Sequence, residues 1–515
     1  MIHRIGERVK ADTVLKYGNR YLIHVVILVA AWGGMFRQSF NCDTLTHMLQ
    51  PRANIDIMMQ HGRYLTALQD FLLYLCGIST TDHTGITAVA EVLLLALALC
   101  IVQGCFERMT DIFGDQNRQK QSLYAGLSWT AVHALMFTNV LFAESFMFGE
   151  CALMFGMAYL LAAFGVYAFT RQRYLLAFLL FFLSTMEYQA AVIYGAILLS
   201  VWIFIRNEYR LDRRAVCQEM LAGGMTIGSG LLNIWSLDLL AGLGVVSEAG
   251  RSVSLGNIWE KMMICLKDLG AILVSSRGLL PGIGLPFWTS MAAVVLTVWL
   301  LKKEKGWKAA GYYLLLVFAM TGMIYILPMV QYDTRTYPRF IWVFYVVQSM
   351  LLLLAFRMLA QKYPADGSRG GLFWKMAFCY MSCGYLVIQI LFCNIIVTNH
   401  MVSNTLDRTY AAMICQKITE YEEATGIQVT KLGVANDTDA PLAYENVYYK
   451  TDQINERALG MVTNTLMNVV SGRTFEKVGM DEAVFREYFE GRDWDYFDAS
   501  QQLVIVGDTA YWMVF

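Results

Sequence analysis

Apolar runs close to 20 residues long recur along this chain, near 21–36, 85–105, 123–143, 151–169, 175–186, 189–205, 218–243, 286–301, 310–330, 339–356 and 376–398. About 20 such residues cross a bilayer as a helix, and lipid offers backbone groups no hydrogen-bond partners, so a helix is the spanning form these runs can take. The pattern predicts an all-α polytopic membrane bundle of about eleven transmembrane helices. A hydrophobic content of 57% against 16% charged residues agrees, being more than one soluble core of this length needs.

Lysine and arginine accumulate on cytoplasmic loops, and their count fixes the expected orientation. With the N-terminus inside, the inner loops hold 22 and the outer loops 9, although the outer ones are longer in total. This predicts a multi-pass protein of the plasma (cytoplasmic) membrane with a cytoplasmic N-terminus. An odd number of spans sends the C-terminus outside. Residues 399–515 hold 18 acidic against 9 basic residues, so the expected division is a transmembrane domain over 1–398 and a small α/β extracytoplasmic domain over 399–515. In that domain, helical periodicity suits 404–424, Ile427 to Ala435 reads as a strand, and LVIVGDTAYWMVF reads as a hairpin turned at Gly507 and Asp508. The first apolar run lacks a small-residue cleavage site and reads as an anchor.

The eleven cysteines are scattered singly, without a CxxC pair or a nearby histidine at ligand spacing. They read as packing residues, and Cys379 and Cys383, one turn apart, as small side chains at a helix contact.

Polar chemistry concentrates on the outer loops. Asp43 follows the first span closely, at a height where a carboxylate reaches both a membrane-embedded molecule and a soluble one. It is a candidate base; a solvated acid or a helix N-cap is the plainer reading. His61-Gly62-Arg63-Tyr64 then opens an apolar helical stretch returning toward the bilayer. Arg63 there can bind a phosphate or snorkel to headgroups. Glu144 and Glu150 flank a short loop with no basic residue, facing either a polar cavity or solvent. Glu187, Tyr188 and Gln189 interrupt two apolar runs, which suits sugar binding or a helix break. Arg277, Arg335 and Arg339 are cations on the face where cations are scarce, which favours a functional role for them. In IWEKMMICLKDLGAIL, Ile258, Met262, Leu266, Leu269 and Leu273 share one helical face while Glu260 and Lys267 lie away from it, as in an interfacial helix or one packed on the bundle.

NCDTLTHMLQ followed by HGRYLTAL resembles the first outer loop of the polytopic glucosyltransferases of the type II O-antigen modification kind, within the wider GT-C class of lipid-phosphate-sugar enzymes. That loop carries paired aspartates, a basic residue and a Gly-Arg before a small apolar run. Asp43 matches the second aspartate; Cys42 stands where the first would be, which leaves one carboxylate. Glu144 through Glu150, with Phe146 and Phe148, is similar to the family's acidic and aromatic stretch, and Tyr188-Gln189-Ala190 to its Tyr-Gln turn. The resemblance covers about residues 20–398 and implies a GT-C-like membrane enzyme.

Such an enzyme moves a hexose, glucose by the resemblance, from a polyprenyl-phosphate carrier to a cell-envelope glycan on the outer face. Asp43 would be the catalytic base, with Arg63, Arg335 or Arg339 stabilising the leaving phosphate. His61, Glu144, Glu150, Tyr188, Gln189 and Arg277 complete the expected substrate-binding set. No cofactor is implied, a divalent metal stays open, and the expected partners are the lipid-linked donor, the glycan acceptor and membrane lipid, with no nucleic acid. The rival is a transporter or flippase of a lipid-linked glycan, which would line a pathway with charges near the membrane midplane; Glu91 and Asp238 are the residues that could serve it.

Overall fold

A computed structural model of the protein describes residues 2–107, 119–246, 256–332, 334–363, 369–437, 440–451 and 454–515. Parts of two predicted loops, 108–118 and 247–255, lie outside the described residues. The chain is 73% helical. In chain order its main helices are α1 (Ile2–Trp32), α2 (Cys42–Leu49), α3 (Pro51–Gln60), α4 (Tyr64–Leu75), α5 (Thr84–Glu107), α6 (Gln119–Ala134), α7 (Ala143–Met147), α8 (Ala152–Thr170), α9 (Tyr174–Glu187), α10 (Ala191–Arg206), α11 (Arg213–Gly242), α12 (Ile258–Ser275), α13 (Leu285–Lys305), α14 (Trp307–Ile324), α15 (Ile326–Val330), α16 (Pro338–Ile341), α17 (Val343–Lys362), α18 (Arg369–Thr425) and α19 (Thr463–Ser471).

Among the described residues, seven helical stretches are long and apolar enough to cross a membrane: Tyr17–Phe36, Thr84–Glu107, Gly149–Thr170, Leu285–Lys305, Trp307–Ile324, Pro338–Lys362 and Gly370–Thr425. Three of the four other predicted spans each form one unbroken helix. Of these α9 and α10 are short, at 14 and 16 residues, while α11 runs for 30. The span expected over 123–143 is corrected: α6 stops at Ala134, and the chain continues through a 3-10 turn at Val140–Phe142 into α7. Asn139 causes the stop. Its amide donates back to the Leu135 and Met136 carbonyls while its oxygen caps the Phe142 N–H at 3.1 Å.

Residues 131–152 are then buried almost without exception, so the segment read as an outer loop at 143–150 is an interior piece of the bundle. Gly149 allows this, since a Cβ there would lie 2.5 Å from the Thr84 side chain. Pro338–Lys362, almost wholly buried from Phe340 to Leu359, is the central post. Lipid is as apolar as leucine, so contacts among these helices gain from close packing and polar bonds more than from the hydrophobic effect.

At 57 residues α18 is about 86 Å long by the rise of 1.5 Å per residue. That is about twice a whole bilayer. The expected boundary at 398/399 therefore falls inside one continuous helix. Its last turns carry Ala411, Ile414 and Ile418 into a second core. The C-terminal cap built there has a four-stranded sheet of order β2-β1-β4-β3, with β1 Lys431–Asn436, β2 Glu476–Val478, β3 Leu503–Val506 and β4 Thr509–Val514. β1 is parallel to both β2 and β4, and β3 and β4 form the expected antiparallel hairpin around Gly507. The strand expected from Ile427 begins at Lys431.

Phe40 and Leu45 also belong to this second core, and α19 packs on α2. Two bonds anchor the join, Phe40 N–H to Asn404 Oδ1 at 2.7 Å and Asn404 Nδ2–H to the Phe40 carbonyl at 2.9 Å. The helix that carries Asp43 is thus held by the cap.

Candidate functional site at the cap end of the bundle

The site begins with α2. Asn41 caps it, accepting from the Thr44 N–H at 2.7 Å, while the Asn41 N–H donates to Thr44 Oγ1 at 3.3 Å, a reciprocal capping box. The cap is Asn41, so Asp43 is free of that role and stands exposed in the first turn. The Thr44 hydroxyl reaches the other way and donates to Glu150 Oε2 at 2.5 Å. Glu150 is buried, so the bundle's interior segment places a second carboxylate one residue along from Asp43. Glu144 is fully buried and was expected without a basic neighbour. Its partner comes from 195 residues away: the Arg339 guanidinium pairs with it, and the Arg339 N–H donates to its Oε2 at 2.5 Å.

His61, Gly62 and Arg63 make the turn into α4. Gly62 has φ +69 and a Cβ there would meet Asn233 Oδ1 at 2.7 Å, so both backbone conformation and space call for glycine. Asn233 Nδ2–H donates to the Gly62 carbonyl at 2.8 Å, and Gln189 Nε2–H to the His61 carbonyl at 2.7 Å. Gln189 therefore ties the α9–α10 break to this turn, and Tyr188 ties the same break to α16 by donating its hydroxyl to the Arg339 carbonyl at 3.0 Å. Both side chains act here as ties at a helix break.

Arg63 is the unusual member. It is 93% buried. Its guanidinium carbon lies 5.3 Å from the Tyr188 ring centroid, its Nη1 faces Met58 Sδ at 3.7 Å, and its Nε has no hydrogen-bond partner. No carboxylate pairs with it among the described residues. Burial first, and then the nearby Arg339 cation, press its pKa below the ordinary arginine range, against the pull of Cys151 and Tyr188. A buried cation without a counter-charge is costly unless something anionic arrives. Arg339 offers its backbone carbonyl to the hydroxyl of the same Tyr188, and its guanidinium stacks on Tyr337 at 4.3 Å and Phe148 at 4.9 Å.

Two carboxylates that sequence reasoning left out of the expected set stand close by. Asp70, in the middle of α4, accepts from Asn54 Nδ2 at 2.9 Å, and burial pushes its pKa up to about 7. Glu187 ends α9 and accepts from Thr66 Oγ1 at 2.7 Å and from Gln69. The Cys151 side chain sits in the combined field of Glu150, Arg63, Asp70 and Asp43, which marks these as one neighbourhood. Their signal was present as acids inside apolar helical runs. Their convergence with the first loop was not, because it is set by tertiary packing.

Arg277 and Arg335 are organised separately. Asp268 on α12 takes Arg277 Nε at 3.3 Å, the Tyr325 hydroxyl at 2.9 Å and the Thr336 hydroxyl at 3.1 Å. Lys261 donates to the Met329 and Gln331 carbonyls at 3.3 and 2.5 Å. The helix meets the bundle through a strip beside the expected apolar face: Lys261, Cys265, Asp268 and Ile272 point inward, while on that face Ile258 and Leu266 are exposed and Met262, Leu269 and Leu273 half-buried, and Glu260 and Lys267 stay exposed away from it. The inward charges Lys261 and Asp268 hold the 326–338 segment. Arg335 stays exposed at the rim, donating to the Tyr337 hydroxyl at 2.9 Å.

No group of three or more His, Cys, Asp or Glu able to hold a metal ion occurs among the described residues. The arrangement offers one exposed carboxylate, one buried unpaired cation and a second, paired arginine on a shared tyrosine. Compared with known proteins, the chain matches no family model, no curated protein and no solved structure.

Proposed function

We propose that the chain is a membrane glycosyltransferase that takes a hexose from a polyprenyl-phosphate carrier and passes it to a cell-envelope glycan on the outer face, the cap being extracytoplasmic. The observation that carries this reading is Arg63, a buried guanidinium beside Tyr188 with no carboxylate of its own. A lipid phosphate would supply the missing charge through charge-assisted hydrogen bonds. Asp43, exposed and one residue from the Thr44–Glu150 contact, is the group able to take the proton from an acceptor hydroxyl. In this reading the phosphate leaves as an anion and needs no general acid. Glu144 holds Arg339 beside the same tyrosine.

Transfer of labelled hexose from polyprenyl phosphate to envelope glycan by the purified protein tests this directly, together with glycan mass and linkage analysis in cells with and without the gene. Absence of transfer in both assays would sink it.

One observation favours the transporter reading. Glu91 is fully buried within α5, and neither of its oxygens has a hydrogen-bond partner. A carboxylate so placed in a spanning helix suits proton or substrate passage. Glu91→Gln separates the readings: a flippase should lose translocation of the lipid-linked sugar, whereas a transferase that still folds should retain transfer.

A further inference from the structure

A cleft of about 690 Å³ opens between α13, α17 and α18, away from the cap-end site. Ala292 and Leu296 of α13, Leu352 and Leu359 of α17, and Ala377 and Phe378 of α18 form its walls. Along α18 it runs from Trp374 to Ile388, about 21 Å by the helical rise. That is more than half of the roughly 30 Å hydrocarbon depth of a bilayer. Tyr385 keeps its wall apolar by turning its hydroxyl to Gln348 Oε1 at 2.7 Å, and Gln348 is satisfied in turn by the Pro286 carbonyl and Ser290.

Within one to two helical turns of the last lining residues of α13 and α17, the cleft ends in cations. Trp299 holds Lys362 Nζ at 4.0 Å and Lys303 Nζ at 5.8 Å from its ring centroid. Lys302 sits on Trp307 at 4.2 Å. Two ammonium groups gathered at one indole repel each other; Glu304 attracts Lys362, and no ion pair is made by Lys303 or Lys362 among the described residues.

We propose that this cleft binds one anionic membrane phospholipid, with an acyl chain between α13 and α18 and its phosphate on Lys303 and Lys362. The two halves of the site select the same molecule. An apolar cleft crossing the hydrocarbon region has no use for a water-borne anion. A neutral lipid would leave the paired lysines uncompensated. Indole rings at the level of the charges suit the headgroup boundary, where amphipathic rings settle. The inference rests on the membrane reading and is independent of glycosyl transfer.

Native mass spectrometry of the intact protein, titrated with phosphatidylglycerol or phosphatidylcholine of matched chains, tests it. One phosphatidylglycerol should be retained in preference, and Lys303→Gln with Lys362→Gln should weaken that retention on the order of thirty-fold, to the phosphatidylcholine level. Ala377→Trp should exclude both lipids; should that variant misfold, the lysine pair alone decides. Lys417→Gln on the cap is the charge control. Equal retention of the two lipids, unaltered retention in the double variant, or an equal loss in the Lys417→Gln control would overturn the proposal.

Discussion

Two regions near the cap end hold buried cations, and they treat them in opposite ways. Around α12, Arg277 is met by Asp268, which is itself met by Tyr325 and Thr336, and Lys261 is bonded to two backbone carbonyls. Each of these inward charges has an internal partner, and the result is a braced segment. Around α4, Arg63 is likewise buried, against an aromatic ring and a thioether, but with no acid of its own. The contrast teaches that burial of a cation does not by itself mark a ligand site. What separates the regions is whether the counter-charge is already in the fold.

The sharpest break of this comparison is at Asp43. Asp43→Asn keeps size and hydrogen-bonding capacity but removes the proton acceptor, so sugar transfer should fall about 10²–10⁴-fold while protein level and donor binding hold. Asp56→Asn, an exposed acid further along on α3, is the control. Near-normal transfer by Asp43→Asn, with loss in the Glu150→Gln or Glu144→Gln variant, would move the base into the interior segment. Silence of all of them in a sound assay would favour transport.

Next come the arginines, where stability and binding should part. Removing one partner of a buried ion pair costs about 3–5 kcal/mol, so Arg339→Gln should markedly lower thermal stability. Asp268→Asn should do likewise, by less, because Arg277 keeps its bond to the Thr336 carbonyl. Arg63→Gln breaks no pair. It should leave unfolding temperature unchanged or higher and weaken binding of a polyprenyl-phosphate sugar by about 1.5–3 kcal/mol, roughly 10- to 150-fold. Arg63→Lys should recover only part, lacking the planar fork. If Arg63→Gln destabilises the protein as Arg339→Gln does, Arg63 is a structural residue and the two regions are alike.

The topology separating the two ends of the bundle is open to labelling. With Cys76 and Cys217, the exposed cysteines, replaced by serine, Ser500→Cys on the cap should react with an impermeant maleimide in intact cells, and Lys305→Cys should not. The reverse pattern would invert the protein in the membrane and place the candidate site in the cytoplasm.

How much of this was legible in the sequence depended on the range of the forces involved. The apolar runs announced the helices because backbone satisfaction in lipid is a local demand. The hairpin at Gly507 was legible for the same reason, since Gly507 takes φ +61 within the turn. The break after Ala134 was not, because Asn139 stops α6 by a side-chain bond that hydropathy does not see. Among the site residues, the order Asp43, Arg63, Glu144, Tyr188, Arg339 could be read off the chain. The pairing of Glu144 with Arg339 across 195 residues could not, and it turned a loop acid into an interior one. The apolar stripe of α12 was legible, but the inward strip beside it was not, because Lys261 and Asp268 find partners 68 residues further along the chain.

The smallest expected effect concerns Asp70, and it tests whether α4 is as dry as Arg63 suggests. Burial lifts the Asp70 pKa from its ordinary 3.8 to about 7, with one bond from Asn54 insufficient to offset it. The folded state therefore holds this proton more tightly than the unfolded chain. Its contribution to stability is intact below about pH 4, declines as pH rises through the interval up to about 7, and is lost above it. A shift of this size sets a ceiling near 4 kcal/mol; a carboxyl that is not fully enclosed should realise about 1–2 kcal/mol. Asp70→Asn should be as stable as the parent at pH 4.5 and more stable at pH 8, seen as a higher unfolding temperature in one detergent at fixed ionic strength. An identical pH slope for variant and parent would mean that water reaches Asp70. Arg63, about two turns away at the start of the same helix, would then have solvent rather than a lipid phosphate as its counterpart.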